Sequence, residues 1–425
     1  MKLTQLDIFD INMVFDMLLE NPPKRERRLH EIITEKLLQL MGFVVGLKPK
    51  KYDKNIDVLF FGASSNNQKV FKPIINEFDL ISCFHIKDNK DFPLIKAYLF
   101  SVPFVVCLYR KYMKGSVKER QLIRKHPIQF FLSYGKVRVA FEILEKINPK
   151  LLIMANDHSP FNRALLLASK ELNIKSLYLQ HASVTKKFPC LEFDYSFLDG
   201  EESFEKYKST SKLNSKVLLT GSPRFDSFYK VKKNIKSKNV KNIGISINQF
   251  DDFETIKNLC LKISTLNNVK VIVRPHPNMV NWNKNWFTKN RIQYSDSTVI
   301  PSNVFLKFID IQISNICGIH LDAILINTPT VQFKLSKEEI NDQYEFLEKG
   351  LIQKAFDFIE LENFIHNPAL LSVNKNKLRH FIASSNSKIE GMVGKFVARY
   401  IEAILQSQKH EKLLERNYNI KVFEF

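Results

Sequence analysis

The five cysteines, Cys83, Cys107, Cys190, Cys260 and Cys317, are scattered, and no two form a C-x-x-C pair. That spacing supplies neither a zinc site nor a disulfide framework. It fits reduced thiols in a cytosolic protein. The opening stretch MKLTQLDIFDINMVFDMLLE does not read as a secretory leader: it carries acids inside its apolar part and lacks a basic start and a clean apolar core. No apolar run is long enough to span a bilayer, which takes about 20 residues. The longest, AYLFSVPFVVCLY at 97–109, is read as buried in the N-terminal core. The other reading is a segment lying on a membrane surface, because RKYMKG follows directly. No repeat of fixed period is present, and only 10 of 425 residues are histidine.

What is present is a long, well-mixed globular chain. With 425 residues, two domains are expected, and 44% hydrophobic residues are enough to build their cores. Lys plus Arg number 64 against 44 Asp plus Glu, a net charge of +20. Such an excess favours anionic partners: nucleic acid, phosphorylated ligands or an acidic membrane face. A Lys-rich coding composition gives the same figure, so charge does not choose among them.

The first 55 residues read as helical and basic, with PPKRERRLHEIITEKLLQLM as a capped amphipathic helix. Short apolar runs then alternate with longer periodic ones. Strands are expected over 56–64, 78–86, 150–157, 174–182, 193–200 and 216–223, and helices over 127–147 and 161–173. The stretch YKVKKNIKSKNVKN is polar and aperiodic and marks a linker. A second alternating series follows, with strands at 242–248, around VKVIVRPHP, and at RIQYSD, DIQISN and TPTVQF, and with mostly helix from about 363 to 409. The expected architecture is α/β: an N-terminal Rossmann-like domain (1–230), a linker (231–241), a C-terminal Rossmann-like domain (242–385), and a C-terminal helix and tail (386–425) packing back. The two parallel-sheet domains are expected to face each other across a cleft, with chemistry in the loops after the strands.

Those loops hold a recurring set of residues. They read Asn156-Asp157-His158, Gln180-His181-Ala182-Ser183, Gly221-Ser222-Pro223-Arg224-Phe225-Asp226, Arg274-Pro275-His276-Pro277, and Ser314-Asn315-Ile316-Cys317-Gly318. His276 is clamped between two prolines, each fixing its own φ and extending the residue before it. Arg274 is expected to lean to the same side, and an imidazole with a guanidinium suits a phosphate. His181 precedes two small residues, which leaves room for a substrate; a neutral imidazole there could take a proton from a hydroxyl. Asp157 and His158 fit a site or an Asx turn with a helix cap. Gly318 and the helix after it suggest an anion seat, His320 opens that helix, and Asp322 sits in its first turn. Arg224 and Asp226 serve either a ligand or an interdomain salt bridge. Asp251-Asp252 is read as a helix cap, not a metal-binding pair.

The segments YLQHAS, TGSPRFD, VRPHP and SNICGIHLDAILINTPTV, in that order, resemble bacterial GT-B glycosyltransferases of surface polysaccharides. The resemblance is to CDP-glycerol glycerophosphotransferase-like enzymes and to capsular Kdo and sialic-acid transferases, over about residues 150–335. It implies His181 as base on the acceptor hydroxyl. It places His276 and Arg274 at the donor phosphates, and Ser314, Asn315, Gly318 and Asp322 beneath the donor. Arg224 and Asp226 match a turn near the hinge. It further implies no metal and a nucleotide-sugar as substrate, with no cofactor beyond it. The expected partners are that donor and a glycan or lipid-linked acceptor, with no nucleic acid; the expected location is cytoplasmic, with peripheral contact with the anionic inner membrane face left open. Two loops depart: His181-Ala182-Ser183 stands where His-Gly-Thr is usual, and Ser314-Asn315 where two serines are usual. The expected activity is transfer of a sugar or sugar acid from a CMP- or CDP-linked donor to a surface or capsular glycan. The alternatives are a glycerophosphotransferase, a nucleotide-sugar epimerase, and a non-catalytic basic binder of membrane or nucleic acid.

Overall fold

The computed structural model describes residues 3–15, 54–62, 64–86, 92–186, 188–210, 213–232, 240–279, 281–406 and 408–425. The basic helix expected near the N-terminus, and most of the linker, lie outside them. The chain divides into two compact units: 1–199 with 203–224 and 394–425, and 200–202 with 225–393.

The first unit is built on a seven-stranded sheet in the order β13-β6-β5-β4-β3-β1-β2. Its strands are β1 (Val58–Phe61), β2 (Cys83–Ile86), β3 (Leu151–Met154), β4 (Lys175–Leu179), β5 (Tyr195–Leu198), β6 (Lys216–Leu219) and β13 (Lys421–Phe423). β1, β3 and β5 are buried at every position. That is why β1 and β3 read as unbroken apolar runs: helices cover both faces of a parallel sheet. All pairings are parallel except β13 with β6. β13 was not expected from the sequence. Its three residues are exposed or half-exposed and carry no strong apolar signal.

The second unit has six parallel strands in the order β12-β11-β10-β7-β8-β9: β7 (Asn242–Ile247), β8 (Lys270–Pro275), β9 (Gln293–Tyr294), β10 (Ile311–Ser314), β11 (Thr330–Phe333) and β12 (Gln353–Ala355). Read outward from β7, that is the order of a dinucleotide-binding sheet, with its topological switch between β7 and β10. Val271 and Val273 of β8 enter one apolar cluster and Ile272 enters another. This is the alternation expected of a strand covered on both sides.

Residues 97–109 correct an expectation. They are not core. The chain forms a helix at Leu94–Ser101, a short turn, and a second helix at Val105–Lys114, followed by Val117–Lys125. Ala97 and Ser101 are the buried residues of the first helix, and the second has none. The run is apolar on the outside as well as the inside, which hydropathy alone cannot distinguish. The Pro127–Ile147 helix matches the sequence reading at both ends, with Pro127 at its first turn and Asn148 in the left-handed conformation as its cap. Among the described residues no helix is long and apolar enough to cross a membrane.

Candidate active site

In the first unit, parallel pairing aligns the carboxyl ends of four neighbouring strands. Met154 pairs with Tyr178, Leu179 with Phe197, and Leu198 with Leu219. The residues just beyond them therefore emerge side by side: Asp157, His181, Asp199 and Arg224. Gln180 binds these loops together. Its amide nitrogen donates to the Ala182 carbonyl (2.9 Å) and the Ser203 hydroxyl (3.0 Å). Its oxygen accepts from the Asp199 backbone N–H at 2.8 Å. Sequence alone assigns Gln180 no role beyond its place at the end of the strand.

Asn156, not Asp157, makes the local turn: its oxygen accepts from the backbone of His158 (3.1 Å) and Ser159 (2.8 Å). Asp157 is fully buried. One of its oxygens lies 2.8 Å from His158 Nδ1, and the other accepts from Tyr207 at 2.7 Å. Tyr207 also bonds Tyr178 at 3.2 Å. Burial, then the Asp157 charge, holds both phenols well above the usual tyrosine range. Asp157 is thus the anionic end of a buried network, and His181 lies within its field. Arg224 reaches Asp199 at 3.5 Å inside this same unit.

His181 Nδ1 is buried and has no hydrogen-bond partner. Burial pushes the imidazole down to about 4. Asp157 opposes that shift, His158 and Arg224 reinforce it, and the Ala155 backbone opposes it through a hydrogen bond. A neutral imidazole with a lone nitrogen is a base awaiting a proton.

The second unit brings its strand ends together in the same way, with Ser314 beside Ser246 and Gln332, and Ile247 beside Pro275. Here the structure changes several expectations. Arg274 does not share its surroundings with His276. Its guanidinium donates to the Ile300 carbonyl at 2.8 Å, reaches Ser295 at 3.4 Å, and lies 5.1 Å from the centre of the Phe305 ring. Burial lowers it to about 10, against the pull of Asp322 and Asp296. The physical reason is that pleat puts Arg274 with Ile272 on the face of that cluster, where its carbonyl partner lies, but the strand ends at Pro275, so the alternation does not carry over to His276.

His276 is exposed. Its backbone N–H donates to Ile247 at 2.8 Å, and its Nδ1 accepts from the Asn278 backbone at 3.2 Å. With Nδ1 an acceptor, the neutral ring carries its proton on Nε2, so the outward nitrogen is a donor. Partial burial lowers its pKa.

Ser314, Asn315 and His320 are interior, not loop-surface residues. His320 is fully buried, with Nδ1 2.7 Å from Thr330 Oγ1 and Nε2 3.0 Å from Ser314 Oγ. Desolvation takes it to about 4. Asn315 donates to Asp251 (3.2 Å) and Ser336 (3.0 Å) and accepts from Gln332 (3.3 Å) and the Ile316 N–H (3.0 Å). Its hydrogen-bonding capacity is used, so it positions the loop. Asp252 caps the Phe253–Ser264 helix, as the sequence indicates. Asp251 joins the β7 and β10 loops and is pushed up to about 6 by burial. Gly318 has nothing within 4 Å of an added Cβ, and the helix it opens, Ile319–Leu325, is only two turns long. The Ser246 hydroxyl, at the end of β7, is buried without a partner; a serine in an apolar strand gave no signal in sequence. Asp226 accepts from the Val393 N–H at 2.9 Å and serves its own unit. Among the described residues no three His, Cys, Asp or Glu side chains converge on a metal-sized site.

His181 and His320 give a pH prediction. Their folded pKa values lie below the ordinary value of about 6.5, so the unfolded chain binds protons first as pH falls. Stability is therefore full above about 6.5 and declines toward 4. Each histidine is expected to cost on the order of 1–2 kcal/mol at pH 5. Urea midpoints measured from pH 7 to 5 should fall, and His320→Gln should flatten the slope.

No protein-family model matches the chain, and no curated protein matches it in sequence. Solved structures do match in fold. A UDP-GlcNAc 2-epimerase from Neisseria meningitidis bound to UDP-GlcNAc superposes with a TM-score of 0.51 at 14% identity, over 83% of this chain and 100% of that one. Another UDP-N-acetylglucosamine 2-epimerase gives 0.50 at 15% identity, over 83% and 96%. The wall teichoic acid polymerase TagF gives 0.48 at 10% identity, over 88% and 96%. At these identities the first two likenesses concern fold. The chain has the GT-B fold of two Rossmann-like units.

Proposed function

We propose that this chain is a glycosyltransferase that moves a sugar or sugar acid from a nucleotide-activated donor to a surface or capsular glycan. The observation that carries the reading is His181: a half-buried, neutral imidazole with a buried and unpartnered Nδ1, at the carboxyl end of β4 and in the field of Asp157. As acceptor-side base it takes the hydroxyl proton, and Asp157 stabilises the imidazolium that forms. In the second unit His276 offers its Nε2–H to the departing phosphate. Arg274 acts at longer range, as a buried cation beneath the loop. Asn315 and His320 hold that loop in shape. The Neisseria epimerase of the same fold binds UDP-GlcNAc, which supports a nucleotide-linked sugar as ligand class. The preference for a cytidine nucleotide rests on the sequence resemblance.

The same fold hosts epimerases, and product analysis separates the two readings. A transferase consumes the donor in proportion to added glycan acceptor. An epimerase changes the sugar with no acceptor present. CMP, CDP, UDP and GDP are the probes for the donor site. One of them should raise the melting temperature, since ligand at a hundredfold its Kd adds about 2.7 kcal/mol. His276→Ala should weaken that nucleotide about tenfold, the loss of one charge-assisted contact. No melting shift with any of the four in the wild type would remove the nucleotide reading.

A further inference from the structure

The helix pair that the sequence assigned to the core carries an independent inference. In the Val105–Lys114 helix and the turn before it, Val102, Val105, Val106, Tyr109 and Met113 are 59%, 49%, 57%, 61% and 56% exposed. At 100° per residue, these five positions fall within an arc of roughly 100°. The side away from the stripe attaches the helix to its unit, where Phe104 stacks on Tyr134 at 4.8 Å; at the stripe's edge Tyr112 accepts from Arg124 at 2.6 Å. The helix thus presents its apolar stripe to solvent, the reverse of the usual amphipathic packing. Exposed apolar patches of this kind mark interaction surfaces.

Charge tells what covers it. Residues 94–128 hold eight Lys or Arg and a single acid, Glu119. Glu119 is committed to the start of its own helix, accepting from the Ser116 N–H at 2.6 Å. Arg110 and Lys114 border the stripe and are exposed. We propose that this face docks on an anionic lipid bilayer, with the 105–114 helix lying in the interface and its cations among the headgroups. An apolar arc edged by cations and lacking acids matches the layering of that surface: acyl chains beneath a negative plane. Nucleic acid offers the negative charge but no apolar phase. A symmetric second copy would set the same cations against themselves.

The test is sedimentation of the full chain with phosphatidylcholine vesicles and with mixed phosphatidylcholine–phosphatidylglycerol vesicles. Binding is expected to the mixed vesicles alone and should weaken as salt rises. Val106→Asp combined with Met113→Asp should lower the bound fraction at least about tenfold, because both charges would enter the acyl boundary. Arg110→Gln with Lys114→Gln should lower it about tenfold or more, at roughly fivefold per charge removed. The nucleotide-dependent melting shift of the wild type should persist in both double variants. That separates loss of docking from loss of the donor site, and docking stands or falls without the transferase reading. Three results would overturn the proposal: no binding to the mixed vesicles, equal binding to neutral ones, or unchanged binding by the Val106/Met113 variant. So would a wild-type dimer that this variant dissolves without any vesicle binding, since the face would then be a protein contact.

Discussion

Replacing His181 with glutamine should leave a folded chain that still binds nucleotide but transfers about 10²–10⁴-fold more slowly. The fold survives because the imidazole contributes little that glutamine cannot: its Nδ1 has no partner to lose. Near pH 5 the variant should be more stable than the wild type, since a desolvated group that must be charged on unfolding has been removed. Nucleotide affinity should be unchanged, because the phosphate contact is assigned to His276. The expected signature is a fall in kcat with the nucleotide Kd retained. Asp157→Asn makes a graded companion. It removes the charge that favours imidazolium, lowers the His181 pKa further, and should slow transfer less than loss of the imidazole does. Transfer within tenfold of wild type in His181→Gln would remove the base from the mechanism.

The second large effect is on stability. Gly135→Val should cost roughly 3 kcal/mol or more and leave the first unit poorly folded at ambient temperature. Gly135 lies where the Pro127–Ile147 helix crosses Leu94–Ser101. A Cβ there would lie 1.7 Å from the Ala97 carbonyl oxygen and 2.6 Å from Ser101 Oγ. The Gly135 N–H donates to that same hydroxyl at 2.9 Å. Backbone cannot step aside as a side-chain tip can, so the two helices would have to separate. Gly318→Ala, in open space at a right-handed φ, is the control and should shift the urea midpoint by less than about 0.5 kcal/mol. Equal behaviour of the two variants would contradict the packing account.

The strands were legible wherever burial on both faces made them continuous apolar runs, as in VLFF of β1 and LLIM of β3. The 127–147 helix was legible because Pro127 and Asn148 punctuate it. Other elements were not. β12 and β13 are three-residue strands held by their neighbours' backbones and have little pattern of their own. The direction of an apolar face is equally invisible. In 97–109 hydropathy reads the same whether the stripe meets core or solvent, and there it meets solvent. In the candidate site, the strand-end positions of His181, Asp157 and His276 follow from topology and were recoverable. The fates of Arg274, Asn315 and His320 depend on partners far away in sequence or on the opposite side of the pleat: Ile300, Asp251 and Thr330. A motif gives a residue's position, while hydrogen bonds decide whether it meets ligand or holds the loop that does.

A titration of ¹³C-labelled histidine by NMR, with His181→Gln supplying the assignment, addresses the proposed base directly. The account predicts that the His181 resonance titrates near 4, leaving an unprotonated ring at neutral pH. A resonance that titrates at or above the ordinary value of about 6.5 in the folded protein would mean an exposed or ion-paired imidazole, and the acceptor-side base would have to be sought elsewhere.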